Sequence, residues 1–434
     1  MRHDRLLKTI LGKLRLFRLA LRLREKVWPF VGIPLAKARY VRTLRRLRGR
    51  KDGNTFRVLF LVGEPAKWKC RNLFREMKES GLFEPVVCLT DWNHQSPDKM
   101  SDDELDALHA DFESTLDREG AAHVRAYRLR PREGIDLASF APDLVFYSEP
   151  WGPRWMQTPG PVSRFALTFF IPYFVPSHGD VDVEGRQTLH RFLFEYLALN
   201  DAWADLYRRA YPCRLYAPLF VGLGHPALDD YKDAPSVPPP SGCVVYAPHH
   251  SIPHPSHQYV YAFSTFDWSG RPMLDYARRH PEFRWVFKPH PLLRSFLVKT
   301  GTMTEKEAAG YYEAWGTIGE VCLDSDYRRH FLDARLLVTD SCSFLAEFGA
   351  TGKPILHLRR TDNGVTFLPP SRALFETYYQ ARDEKEMLDG LALLLEKGED
   401  PDRESRLAAL RAARLRGNDA SRAIVDHLRT LLGR

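Results

Sequence analysis

Cysteine is scarce in this chain of 434 residues, and its placement excludes more than its number does. The six cysteines, at 70, 88, 213, 243, 322 and 342, stand far apart and form no C-x-x-C pair. A disulfide framework and a structural zinc are therefore not expected, and a reducing, cytosolic setting fits. Long apolar runs are missing too. The longest, FALTFFIPYFVPS at 165–177, has 13 residues and two prolines. That is short of the roughly 18 residues a spanning helix needs, so it reads as buried strands or a pocket wall. The N-terminal stretch has charges throughout and no small-residue cleavage site, which argues against a signal peptide. Nothing resembles a nucleic-acid reader motif. What remains is a long chain with 44% apolar residues, enough for two or three domains with sizeable cores.

Charge is unevenly spread. Residues 1–50 hold sixteen lysines and arginines against Asp4 and Glu25, a net of +14; of the chain's 63 bases and 55 acids this leaves 47 and 53, a net of −6, for the rest. In RLLKTILGKLRLFRLALRLREKVWPF the residues Leu6, Ile10, Leu14, Phe17 and Leu21 fall near one helical face, with Lys8, Arg15, Arg18 and Arg22 beside or opposite it. A second basic cluster, RYVRTLRRLRGRK, follows at 39–51. An apolar stripe backed by cations predicts a helix lying in an anionic membrane surface, on the inner face of the cell membrane. The competing readings are packing on the helix's own domain and nucleic-acid binding, and the acidic remainder speaks against the latter.

From Phe56 the pattern alternates. FRVLFLVG is a strand, KCRNLFREMKESG an amphipathic helix stopped by Gly81, FEPVVCLT a strand, and APDLVFYSEP a buried strand ending at Glu149. A proline-rich stretch, YKDAPSVPPPSG at 231–242, has the composition of a linker. The alternation then restarts with CVVYAPHHS and ends in two helices, EKEMLDGLALLLEKG and GNDASRAIVDHLRTLL. The predicted organisation is α/β: a basic segment over 1–52, an α/β domain over 53–230, a linker over 231–242, and a second α/β domain over 243–434. Two such halves imply a cleft.

Three loops of the second half follow predicted strands, at the edge where open parallel sheets bind ligands. They are Tyr246–Ser251 with His249 and His250, Lys288–Pro291 with His290, and Thr339–Ser343. The last is the most telling. In VTDSCSFLAEFGATGKPILHL a strand runs through Thr339, Asp340, Ser341, Cys342 and Ser343 straight into a helix, whose first amides suit a phosphate. The plainer alternative is that Asp340 or Ser341 caps that helix. Together the loops supply imidazoles, an ammonium and hydroxyls, a set suited to a diphosphate and to acid–base work. HHSIPHPSH (His249, His250, His254, His257) has the composition of a metal site. Its prolines interrupt any helix and no acid or cysteine joins it locally, so no metal is expected. DSD at 324–326 is better explained as a helix start.

These segments resemble, in order and spacing, the motifs of the CDP-glycerol glycerophosphotransferase family, the teichoic-acid and capsule polymer transferases. YAPHHS matches a Tyr-Ala-Pro segment, and KPHP a His-Pro. TDSCSFLAEFGATGKPI is similar to a Thr-Asp-Tyr-Ser-Ser pattern, an acid four residues on, and Lys-Pro. Thr339, Asp340, Cys342, Ser343, Glu347, Lys353 and Pro354 fall on that pattern without a gap. VGLGHPALDDY is similar to the Gly-x-Pro-x-x-Asp segment closing the first domain. The resemblance implies a GT-B architecture, two Rossmann-like domains facing each other with the nucleotide in the C-terminal one, and transfer of glycerol phosphate, or a similar polyol phosphate, from a CDP-activated donor to a polymer or lipid-linked acceptor hydroxyl. It implies no cofactor and no metal. On its terms His290 is a catalytic or phosphate-stabilising imidazole. Lys288, His249, His250, Thr339, Asp340, Ser341, Cys342 and Ser343 hold the donor, and Glu347 reaches a ribose or polyol hydroxyl. His178 of SHGD is the acceptor-side base, with Glu149 its rival. Three departures, Ser341 for Tyr, Cys342 for Ser, and His249-His250 for a basic residue, leave the nucleotide and polyol open, and a sugar-nucleotide glycosyltransferase stands as the alternative.

Overall fold

The computed structural model describes residues 30–51, 53–91, 100–151, 153–177, 188–211, 213–255, 262–323, 327–362 and 366–434. Two sheets organise the chain. In the first half run β1 (Phe56–Val62), β2 (Phe83–Leu89), β3 (His123–Arg125), the hairpin β4 (Tyr127–Arg128) and β5 (Glu133–Gly134), then β6 (Leu144–Tyr147), β7 (Leu167–Phe170), β8 (Glu195–Ala198) and β9 (Leu219–Gly222). Apart from the hairpin they form one sheet in the order β3-β2-β1-β6-β7-β8-β9. The second half contributes β10 (Cys243–Ala247), β11 (Trp285–Phe287), β12 (Glu320–Val321), β13 (Ala334–Thr339), β14 (Ile355–Leu358) and β15 (Tyr379–Ala381), in the order β12-β11-β10-β13-β14-β15. Every pairing in both sheets is parallel. This explains why the strands read as near-continuous apolar runs. A parallel sheet is covered by helices on both faces, and β1 buries six of its seven residues.

Local signals set the helix ends. Arg71–Glu79 buries Leu73, Phe74 and Met77, and the chain leaves it through Gly81 at φ 66, a left-handed turn that glycine adopts without a Cβ penalty. Asp102–Arg118 starts from a capping box in which Ser101 and Glu104 satisfy each other's amides. None of the six cysteines forms a disulfide. No helix among the described residues is long and apolar enough to cross a membrane.

Two segments sit elsewhere than the sequence boundaries place them. A helix over 30–48 lays Ile33, Ala36, Tyr40 and Leu47, one stripe at helical spacing, into the same core as Phe56 and Leu73. Its Tyr40 hydroxyl bonds Thr168 Oγ1 at 2.5 Å and donates to the Phe192 carbonyl at 2.7 Å. Arg48 donates to the Leu431 carbonyl, and Arg50 grips Asp143. The 39–51 cluster is thus carried on a helix whose apolar stripe belongs to the N-terminal domain's core, with Arg42, Arg45, Arg46 and Arg48 exposed on its other face. Residues 1–29, with the amphipathic pattern, lie outside the described residues.

The chain's end also crosses over. The helix Ala420–Leu432 buries Ile424, Val425, Leu428 and Leu432 in the first sheet's core, not the second's. The GHPALD motif receives it. Gly224, at φ 99, leaves room where a Cβ would meet Ala420 at 2.6 Å. Asp229 then accepts from the amides of Ala420 and Ser421, both at 2.8 Å, and caps the helix. The domain written as 243–434 therefore gives up its last helix to the N-terminal half.

Candidate active site at the interdomain cleft

β11, β10 and β13 are neighbours, so the three loops that follow them emerge side by side. Backbone bonds tie two of them together: the His290 amide donates to the Pro248 carbonyl at 3.0 Å. Asp340 binds the third loop to the first. Its carboxylate accepts from the His249 amide (2.6 Å) and, on the other oxygen, from the Thr265 amide (2.7 Å) and hydroxyl (3.1 Å). Thr339 Oγ1 donates to the Ala247 carbonyl at 2.6 Å. Both side chains are buried, and burial pushes the Asp340 carboxyl up to about 7 in spite of its donors. Thr339 and Asp340 were expected to hold the donor; their side chains instead hold the loops that line the site.

The question of a capped or open helix resolves geometrically. Asp340 is turned away toward the His249 and Thr265 loops, and the Ser341 side chain makes no capping bond to the helix Cys342–Gly349. Cys342 and Ser343, the first two helical residues, line a cavity of about 220 Å³. That combination puts a positive helix end at the cavity wall. The Cys342 thiol is held protonated by burial.

The histidines gather more closely than the sequence indicates. Ring centroids of His250 and His290 are 3.9 Å apart, His249 and His250 4.4 Å, and His249 and His290 5.1 Å. One ring nitrogen from each lies within 4.8 Å of the others, a spacing that invites a metal reading. The tautomers point elsewhere. The Leu292 amide donates to His290 Nδ1 at 3.1 Å, and the Ser251 amide to His249 Nδ1 at 3.2 Å. An amide can only donate, so each Nδ1 accepts and the ring proton resides on Nε2. Metal-bound imidazoles show the opposite arrangement, donating from the nitrogen that does not face the metal. Burial, then the neighbouring His250, Lys288 and Lys67, depresses His290 to about 3, and burial lowers His250 to about 4. Both shifts favour the neutral ring of His290 and His250 at physiological pH. His249 and His290 therefore carry N–H donors, a pair suited to an anion. The buried Lys288 stands beside them, its ammonium 5.5 Å from the Tyr327 ring centroid.

Glu347 serves otherwise than the sequence suggests. Its carboxylate accepts from Tyr231 (3.2 Å) and Tyr327 (2.7 Å) and pairs with Lys69 of the first domain at 3.5 Å. Both oxygens are engaged, so it ties the domains together and does not wait for a ligand hydroxyl. Glu149 is buried at the end of β6 and pairs with Lys67 at 3.2 Å, which also pairs with Glu64 at 2.8 Å. Burial raises the Glu149 carboxyl above its ordinary range, in the direction a general base needs. Lys67 lies near enough to depress His290, so the two sides of the cleft meet here. His178 lies outside the described residues, as do His257 and 324–326.

Lys67, Lys69 and Trp151 were missed in the sequence. GEPAKWK follows β1 at the ligand edge of its own sheet, a position that could have flagged both lysines. The opposite wall of the cavity comes from FFIPYFVPS: Pro172, Tyr173 and Phe174, with Pro150 and Trp151 beside them. The pocket-wall reading of 165–177 thus holds for its second half, and β7 takes up the first.

Two parallel α/β sheets with ligand edges turned to a shared cleft define the GT-B fold. No family model matches the chain, and no curated protein matches it in sequence. Solved structures do. A variant of the wall teichoic acid polymerase TagF superposes with a TM-score of 0.55 at 12% identity, over 97% of this chain and 98% of that one. The UDP-GlcNAc 2-epimerase from Neisseria meningitidis bound to UDP-GlcNAc gives 0.54 at 14% identity, over 86% and 99%. The S. aureus MnaA–UDP structure gives 0.52 at 14%, over 87% and 97%. At such identities the likeness establishes the fold.

Proposed function

We propose that the protein is a transferase that moves a polyol phosphate, glycerol phosphate in the first instance, from a CDP-activated donor to a hydroxyl of a cell-surface glycan or teichoic-acid-like acceptor. One observation carries this reading: the uncapped helix end at Cys342 and Ser343 shares a cavity with His249, whose ring clusters with those of His250 and His290 beside the buried Lys288. Two adjacent phosphates would take the helix amides on one side and the Nε2–H groups of His249 and His290, with Lys288, on the other. The protein's own groups then balance the donor's charge without a metal. The acceptor oxygen forms a bond to the donor's distal phosphorus while the bond to the CMP oxygen breaks, and CMP departs with the electron pair. Glu149 takes the acceptor's proton; His178 is the rival for that role.

The solved neighbours lend support of a general kind, since one structure is described as TagF with CDPG and another as an epimerase bound to UDP-GlcNAc. The second is the reason to retain a sugar-nucleotide donor as the alternative. A thermal-shift panel separates the two. CDP-glycerol at 100 times its Kd should stabilise the protein by about 2.7 kcal/mol, and UDP-sugars at equal concentration much less. The reverse order would favour the glycosyltransferase.

Docking on the inner face of the membrane belongs to the same proposal. The basic amphipathic residues 1–29 would provide it, continued by Phe30 and Val31, which are exposed. Deleting 1–29 should abolish flotation with anionic liposomes and leave the fold intact, because the described core contacts of the following helix start at Ile33; unchanged flotation would remove the membrane from the account.

A further inference from the structure

The cleft wall facing the phosphate site has a composition the transfer chemistry does not require. On the first-domain side the cavity is lined by Pro150, Trp151, Pro172, Tyr173 and Phe174, and Phe263 joins from the second domain. Trp151 is 46% exposed, a large apolar side chain left open to solvent at a cavity mouth. It meets Tyr173 edge-on, with centroids 6.1 Å apart. Among the described lining residues there is no lysine or arginine. The nearest ammonium, Lys67, lies 5.6 and 5.1 Å from the Trp151 and Tyr173 ring centroids and is already matched by Glu64 and Glu149.

An acceptor of repeating glycerol phosphates would be acyclic and would add an anion at every unit. It would need cations along its path, and this wall offers aromatic faces beside two carboxylates. A sugar ring offers what such a wall can hold: an apolar C–H face to lie on an aromatic ring, and hydroxyls at its rim for polar neighbours. We propose that Trp151, with Tyr173 and Phe174, forms an acceptor subsite for an uncharged sugar ring, so that the group receiving the transfer is a glycan hydroxyl and not the end of a poly(glycerol phosphate) chain. This rests on the transferase reading above, because it takes the phosphate side of the cleft as the donor's. Trp151 is a specificity-determining residue in this view, and Glu149 next to it is placed to act on the hydroxyl of the stacked ring.

The test is calorimetric titration of the full chain with maltotriose, triacetylchitotriose and a glycerol phosphate trimer, each with and without CDP. At least one neutral trisaccharide should bind. Trp151→Ala should weaken that binding about ten-fold, Trp151→Phe should restore most of it, and CDP affinity should stay the same in both variants. Three results overturn the subsite: the glycerol phosphate trimer binding where neither saccharide does, saccharide binding indifferent to Trp151, or no binding of any probe by protein that still takes CDP. Saccharide binding without any nucleotide binding would instead sink the transferase reading and leave the subsite standing.

Discussion

Replacing His290 with alanine should lower kcat for CMP release from CDP-glycerol about 10²–10³-fold, the usual cost of removing one preorganised donor from a developing anion. The direction of its hydrogen bonds determines what else should follow. Because the Leu292 amide holds Nδ1 as an acceptor, the ring proton sits on Nε2, which has no lone pair left to receive another. His290→Gln, which retains an N–H donor and loses the titratable nitrogen, should therefore keep more activity than His290→Ala. With the imidazole depressed to about 3, the kcat profile between pH 5 and 8 should contain no inflection that vanishes in the glutamine variant. A general-base histidine would behave differently: glutamine would be as inactive as alanine, and the wild-type profile would break in the imidazole range.

The second large effect concerns the loop clamp. Asp340→Ala leaves the amides of His249 and Thr265 without their acceptor, and the Thr265 hydroxyl with Ser269 Oγ alone. At about 1–3 kcal/mol for each orphaned group, this approaches a large fraction of the 5–15 kcal/mol that holds a typical domain together. Melting should fall steeply, with nucleotide binding lost at temperatures where the variant remains folded. Asp340→Asn should be intermediate, since one oxygen still accepts. Its pH dependence has a definite sign. The wild-type carboxyl is raised in the fold, from an ordinary value near 3.8 to about 7, so the folded state holds its proton more tightly than the unfolded chain does. Wild-type stability relative to the asparagine variant should therefore grow as pH falls from 7 toward 5. A difference that is flat, or that shrinks on acidification, would contradict the burial-driven shift.

Much of the scaffold was legible in the sequence. The apolar runs of β1, β6, β10 and β13 announce strands covered on both faces, and loops after adjacent parallel strands must share an edge. In the structure His249 lies beside His290 and shares a cavity with Ser343. Less legible was anything depending on which surface an amphipathic stripe meets. The stripes at 33–47 and 424–432 look the same whether a membrane, the second sheet or the first sheet covers them, and the first sheet does. The helix Phe266–Arg279 carries Pro272 in its interior, where proline usually marks a boundary. The acids show the same limit. Asp340 and Glu347 occupy motif positions, but a carboxylate's role depends on the donors that reach it. Those donors, Thr265 for one and Lys69, Tyr231 and Tyr327 for the other, come from distant stretches of chain.

The central claim is that a nucleotide diphosphate lies between the amides opening the Cys342–Gly349 helix and the paired imidazoles. A crystal structure of the full chain with CDP-glycerol examines it directly. The expected result is density for two phosphates within hydrogen-bond distance of the Cys342 and Ser343 amides and of His290 Nε2. Density for the nucleotide on any other surface, or a metal ion held by His249, His250 and His290 in its place, would contradict it.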